Sequence, residues 1–94
     1  MTGRALDTTA KPVLERRLRL QWEAAQGAHV LLYPEGMIRL NASAGEILKR
    51  CDGIASIADI TASLEQAFDT QGLAADVAAF IAMAVDKKWL SLTP

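Results

Sequence analysis

Residues 30–53, VLLYPEGMIRLNASAGEILKRCDG, restrict the fold of this chain more than any other stretch. They read as a strand, a tight turn, a short returning strand and a helix that stops abruptly. Tyr33-Pro34-Glu35-Gly36 has proline at the second turn position and glycine at the fourth, the type I pattern, in which the proline ring pre-sets φ. Met37 to Leu40 returns as a strand with Ile38 and Leu40 on one face and Met37 and Arg39 on the other. Ser43 followed by Glu46 fits a capping box. Ala44, Ile47, Leu48 and Cys51 then recur at i, i+3, i+4, i+7, one apolar stripe on one helical face. Lys49 and Arg50 fall in the last turn, where cations suit the dipole, and Gly53 is placed to end the helix in the left-handed region. Such a unit leaves a sheet edge beside a helix.

The flanking sequence completes the same pattern. Residues 17–23 alternate strictly, with Leu18, Leu20 and Trp22 opposite Arg17, Arg19, Gln21 and Glu23, which predicts a half-buried strand. Residues 24–27 end in glycine and fit a hairpin connection. Ala28 to Tyr33 is apolar on both faces and is expected to be covered on both. Ser56 with Asp59 caps a second helix whose face is Ile57, Ile60, Leu64 and Phe68; Asp69 to Gly72 breaks it. A third helix is predicted over residues 74–88, with Val77, Phe80, Ile81, Ala84 and Val85 on one face. Trp89, Leu90 and Leu92 form an apolar tail that should tuck against the core. Residues 1–15 show no apolar period and carry Gly3, Thr8, Thr9 and Pro12, so a flexible N-terminal arm is expected, followed by one domain over residues 16–94. The predicted fold class is α+β: a winged-helix-like domain with a three-stranded antiparallel meander followed by three helices.

Composition sets the outer limits. Ninety-four residues, 51% of them apolar, make one domain with a thin but real core. No apolar stretch approaches the ~20 residues of a membrane span, and no apolar run follows a basic start, so a cytoplasmic protein is expected. The single cysteine, Cys51, fits a reducing compartment. Five of the ten basic residues lie within the first 19 positions; from Leu20 onward there are five basic and nine acidic residues, a net of −4.

That balance argues against nucleic acid, because affinity for a polyanion rests on neutralising phosphates. A winged-helix DNA-binding protein is the alternative that the layout suggests, but the third helix opens Ala74-Ala75-Asp76-Val77-Ala78-Ala79, with no side chain suited to base edges. Enzyme chemistry lacks its parts as well. His29 is the only histidine and lies mid-strand, while Cys51 lies on an apolar stripe; a Cys–His pairing is formally open, but a core cysteine is the expected reading. Asp52 beside Gly53 reads as a helix stop with a local turn bond. No metal-ligand spacing and no glycine-rich strand-to-helix loop occurs, so neither a metal nor a cofactor is expected. Peptide binding by strand addition survives, because an edge strand offers unpaired N–H and C=O groups. The alanines of the third helix (Ala74, Ala75, Ala78, Ala79, Ala82, Ala84) would allow close approach.

Several short motifs fall in one register across about four-fifths of the chain. They are Arg16, Leu18, Arg19 and Leu20 with Trp22; Val30-Leu31-Leu32; Pro34-Glu35; Leu40-Asn41 with Ala44; Ile47-Leu48; Cys51-Asp52-Gly53; Ile60; Leu64; Asp76-Val77; Phe80; and Leu90. In these the chain resembles the PqqD family of pyrroloquinoline quinone (PQQ) biosynthesis proteins. The resemblance implies a non-catalytic peptide chaperone, a precursor-peptide recognition element with a winged-helix-like fold. It would bind the precursor peptide PqqA and present it to PqqE, the radical S-adenosylmethionine enzyme that cross-links a Glu and a Tyr of that peptide. It further implies a peptide held as an added strand beside the third strand and against the third helix. On this chain that is Met37, Ile38, Arg39 and Leu40, with Val77, Phe80, Ile81 and Val85. Related modules serve other modified peptides, so a different precursor is a second alternative, and the oligomeric state stays open between monomer and homodimer. Gly45 and Lys87-Lys88-Trp89 depart from the family pattern.

Overall fold

The structure, a computed structural model, describes residues 6–94. Its elements are β1 (Lys11–Leu14), β2 (Arg19–Glu23), β3 (Ala28–Tyr33), β4 (Gly36–Arg39), α1 (Ala42–Lys49), α2 (Ile57–Ala67), α3 (Ala74–Asp86) and β5 (Leu90–Thr93). The three-stranded antiparallel meander β2-β3-β4 and the three helices are as the sequence predicts, and the likeness to a winged helix is loose. Neither Pro34 nor Glu35 takes a positive φ, which excludes the type II and primed turns and leaves the type I form expected from the proline.

A second sheet was not anticipated. Lys11–Leu14 pairs antiparallel with Leu90–Thr93, in the register Lys11 with Thr93 through Leu14 with Leu90. The N-terminal segment is held further by its own carbonyls. Gly53 N–H donates to Pro12 O (2.9 Å), Ile57 N–H to Ala10 O (2.9 Å) and Ala58 N–H to Thr8 O (3.0 Å). The last two donors belong to the first turn of α2, which has no intrahelical acceptors for them, so the segment caps that helix. The flexible arm expected over residues 1–15 is therefore corrected for residues 8–14; residues 1–5 lie outside the described residues. The apolar tail does bury Leu90, but it does so as a strand.

The core lies between the inner face of the meander and the helices. Leu31, Ile60 and Ile81 have no accessible surface, and Leu40, Ala44, Ile47, Leu48, Cys51, Ile57, Leu64, Val77, Ala84 and Leu90 join them. Burial of each large aliphatic side chain contributes about 1.5–3 kcal/mol. Leu20 and Ile38 flank Leu31 across the sheet and pack against the same cluster. Val30 is also buried but lies outside the cluster, between Gln21 and Arg39 on its neighbouring strands. Both faces of β3 are thus buried at its centre, as its two apolar faces suggest.

Helix ends show where local signals compete. The cap of α1 is Asn41, not Ser43: the Asn41 side chain accepts from Ala44 N–H at 2.8 Å. Either residue satisfies the local rule, and Asn41 wins because its extended backbone continues directly from β4. Glu46 is thereby left to pair with Arg50 (2.8 Å) and Lys49 (3.5 Å). The capping box of Ser56 and Asp59 forms as predicted. Leu73 at the start of α3 has no cap of its own, and the Glu65 carboxylate reaches over from α2 to accept its N–H at 3.0 Å. Lys87 and Lys88, placed by sequence in the last turn of α3, lie just beyond its end.

Gly45 is explained by tertiary contact. α1 crosses β3 so closely that a Cβ at Gly45 would sit 2.6 Å from His29 Nδ1 and 3.1 Å from His29 Cβ. The glycine costs helix propensity, about 1 kcal/mol, and the ring of His29 takes the space it leaves. Gly45→Ala should destabilise the fold by about 1–2 kcal/mol, because overpacking of about 1–3 kcal/mol outweighs the propensity gain. In a His29→Gly background, which removes the Cβ at 3.1 Å as well as the ring, the same change should stabilise by about 1 kcal/mol, so a double-mutant cycle measured by urea denaturation should return a coupling of about 2 kcal/mol or more.

Three carboxylates are held below their ordinary range: Asp7 by the Thr9 hydroxyl and N–H, Glu46 by the Arg50 guanidinium, and Asp52 by the backbone N–H groups of Ala55 and Ile54. Each folded pKa lies below the unfolded value of about 4, so the stability they contribute is present above that pH and is lost as pH falls through the lowered values. Urea midpoints should fall steadily below about pH 4, and Asp52→Asn, which keeps the acceptor oxygen, should make that decline shallower.

Candidate functional site

Strand β4 lies at an edge of its sheet, so one side of its backbone meets no strand among the described residues. Leu40 N–H donates to His29 O at 3.0 Å. Because antiparallel pairs alternate, this bond fixes the direction of every other group. Gly36, Ile38 and Leu40 turn their N–H and C=O groups toward β3, opposite Tyr33, Leu31 and His29. Met37 and Arg39 turn theirs outward, where an incoming strand would find them unpaired. The other edge strand, β2, presents Leu20 and Trp22 in the same way.

What separates the two edges is the surface beside one end of them, since the groove at the other end borders both β2 and β4. A cleft of about 930 Å³ borders β4 through Ile38 and includes no residue of β2. The 15–18 segment, the Tyr33-Pro34-Glu35 turn and Lys87-Lys88-Trp89 line the rest. These segments are distant in sequence and meet because Glu15 N–H donates to Trp89 O at 2.9 Å, continuing the β1–β5 ladder. A smaller groove, about 550 Å³, borders the other end of β4 through Arg39 and Leu40 and includes Trp22 and His29. An added strand on β4 would therefore have room for side chains at both ends.

Not every residue assigned from the third strand and third helix lies at this surface. Met37, 57% exposed, and Arg39 do, and Ile38 is half-buried at the cleft. Val77 and Ile81 do not: Val77 is 2% exposed, Ile81 0%, and both belong to the core, which Leu40 also joins although it borders the smaller groove. A 3.6-residue stripe marks the face a helix buries, and burial in the core satisfies it before any partner arrives. Phe80 and Val85 are half-buried and pack against the core from its margin. Sequence reasoning missed Trp22 as a surface residue. Strict alternation put it on the inner face, yet it is 56% exposed, its ring edge-on to His29 at 5.0 Å. The nearby hairpin loop was the available signal, because it places Trp22 at the end of the sheet, where covering elements run out.

The Cys–His pairing does not form. The His29 ring lies against Gly45 and Trp22, whereas Cys51 is buried and its thiol donates to Ile47 O at 3.2 Å. Burial, with a smaller contribution from Asp52, pushes that thiol up to about 12, so it carries no thiolate at neutral pH. Asp52 accepts from Ile54 N–H (2.8 Å) and Ala55 N–H (2.9 Å), the local turn bonds expected beside Gly53. Among the described residues no group of His, Cys, Asp and Glu could hold a metal ion, and no helix is long and apolar enough to cross a membrane.

Comparison with known proteins agrees with this architecture. Residues 28–90 match the family described as Coenzyme PQQ synthesis protein D (PqqD). A relative from Azotobacter vinelandii named PqqA binding protein is 49% identical over 82 residues, covering 86% of this chain and 89% of its own. A PqqA binding protein from Stutzerimonas stutzeri is 42% identical over 88 residues, covering 93% and 96%. The solution NMR structure of the PqqD truncation of Methylobacterium extorquens PqqCD, described as a functional and stand-alone recognition element for ribosomally synthesized and post-translationally modified peptides, superposes with a TM-score of 0.72. That pair is 32% identical, and the match covers 85% of this chain and 87% of the other. With two-thirds of its length inside the family match, and relatives close to half identical across nearly their whole length, the chain belongs to the PqqD family.

Proposed function

We propose that this protein is a non-catalytic peptide chaperone of PQQ biosynthesis, which binds the precursor peptide PqqA as an added strand on β4 and presents it to the radical enzyme PqqE. The observation that carries the reading is the pair of outward-facing backbone groups at Met37 and Arg39, on a sheet edge bordered by two clefts. The relatives' name, PqqA binding protein, supports the choice of peptide. Met37, Ile38 and Arg39 form the docking edge; of the third-helix residues that the resemblance implies, Phe80 and Val85 are half-buried at the margin of the core.

The chemistry is entirely non-covalent. Met37 and Arg39 supply two donors and two acceptors, which fix an extended peptide in one register. Each ladder bond contributes a net of only about 0.5–1.5 kcal/mol, so side chains seated in the flanking clefts must supply much of the affinity. Holding the precursor extended beside an enzyme's site makes the encounter effectively intramolecular and raises the local peptide concentration.

The alternation at β4 selects the decisive variant. Ile38→Pro would remove a donor that β3 uses and break the meander itself. Arg39→Pro removes only an outward donor, and proline is tolerated at such a position on an edge strand. Arg39→Pro should stay folded by circular dichroism yet weaken PqqA binding about tenfold in calorimetric titration, as expected for one lost ladder bond. Arg39→Ala, which keeps the donor, should lose much less. Equal affinity of a folded Arg39→Pro and the parent protein would sink strand addition on β4.

A further inference from the structure

We infer that Lys88, with Lys87, Arg16 and Arg17, forms a cationic seat in the cleft beside β4 that takes a carboxylate of the docked peptide, so that this protein selects extended peptides carrying an acidic residue there. The inference rests on the peptide-docking reading above and names the side-chain chemistry that reading requires.

The first observation is conformational. α3 ends in a Schellman arrangement: Trp89 N–H donates to Ala84 O (2.8 Å) and Lys88 N–H to Val85 O (3.0 Å), with Lys88 at φ +66°. Glycine is the usual occupant of that position because a Cβ is strained there. α2 ends the same way, with Thr70 N–H on Glu65 O (3.0 Å), and uses Asp69 at φ +49°. Aspartate is among the few side chains that visit this region readily, and lysine is not. Lys88 is therefore the one residue of the described chain that occupies the left-handed region without glycine's freedom or a short polar side chain's local compensation. Strain of this kind persists only where the surrounding structure holds it in place, and it clusters at binding sites.

The second observation is electrostatic and independent of the first. The Glu15–Trp89 hydrogen bond brings Arg16 and Arg17 to the same cleft as Lys87 and Lys88. All four are exposed, and none makes a salt bridge among the described residues, where the only ion pairs are those of Glu46. Two carboxylates, Glu15 and Glu35, also line the cleft, which leaves an excess of two positive charges in a chain whose net charge is −1. A carboxylate entering beside Ile38 would meet these cations at the mouth of a concave surface, where the field is stronger than on open protein.

The test uses the full chain and two peptides: PqqA, and PqqA with every Asp and Glu replaced by Asn or Gln. Affinities are measured by calorimetry at about 0.02 M and about 0.5 M salt, because shortening the Debye length from ~20 Å to ~4 Å separates charge from shape. The parent protein should prefer the acidic peptide roughly tenfold at low salt, with the gap narrowing at high salt. Lys88→Gly should weaken the acidic peptide roughly threefold to fivefold and leave the amide peptide unchanged. It should also raise the thermal midpoint by several degrees, since it removes left-handed strain. Equal affinity of the parent for both peptides would overturn the seat while leaving strand addition intact. So would a Lys88→Gly protein that weakens on both peptides alike, or whose midpoint drops, because Lys88 would then be structural. Failure of both peptides to bind the folded parent would overturn the docking reading and this inference with it.

Discussion

The pairing of Lys11–Leu14 with Leu90–Thr93 is the contact on which the remaining geometry depends. It closes most of the chain into one loop, at an entropic cost of about 4 kcal/mol on a logarithmic loop-length estimate. The carbonyls of Thr8, Ala10 and Pro12 offset part of that cost by taking N–H groups from the α1–α2 connection and the first turn of α2. The same clasp fixes the end of α3 against the segment that leads into β2. Without it the cleft beside Ile38 would lose two of its walls, because residues 15–18 and 87–89 have no other reason to meet.

The meander contributes a different kind of constraint. An exposed strand edge invites unwanted pairing, and proteins commonly limit it by keeping edge strands short and charged. β4 follows that rule, with four residues and Arg39 among them. The same brevity limits what the edge can hold, since only two of its residues face outward. A recognition surface built this way needs selective side-chain contacts more than backbone ladder length, and the clefts at the two ends of β4 are where such contacts fit.

Local patterns were legible in the sequence wherever one residue's neighbours decided its environment. The strand over residues 28–33, the proline turn, the stripe of α1 and the capping box of α2 all follow from spacing, and all form. What escaped was non-local or locally degenerate. Lys11-Pro12-Val13-Leu14 and Leu90-Ser91-Leu92-Thr93 are too short to show a period, and each becomes a strand only because the other is present. Asn41 and Ser43 both satisfy the rule for a helix cap, and only the exit angle of β4 distinguishes them. Gly45 looked like a defect until His29 was seen beside it. For the site, the edge strand could be read from the meander, but the helix stripe could not be divided into core and surface. Val77 and Ile81 share a period with Phe80 and Val85, and only the packed structure tells them apart.

Lys11 lies opposite Thr93, but the two ends of the described fold leave it in different places. Before β1 the chain runs on to the start of α2, where Ala58 N–H donates to Thr8 O, whereas after Thr93 it leaves directly from β5. A second domain fused ahead of this fold would thus start beside α2, and one fused behind it would start beside β1. The linker each needs to reach the cleft differs accordingly, so gene fusions in the two orders are not geometrically equivalent for this fold.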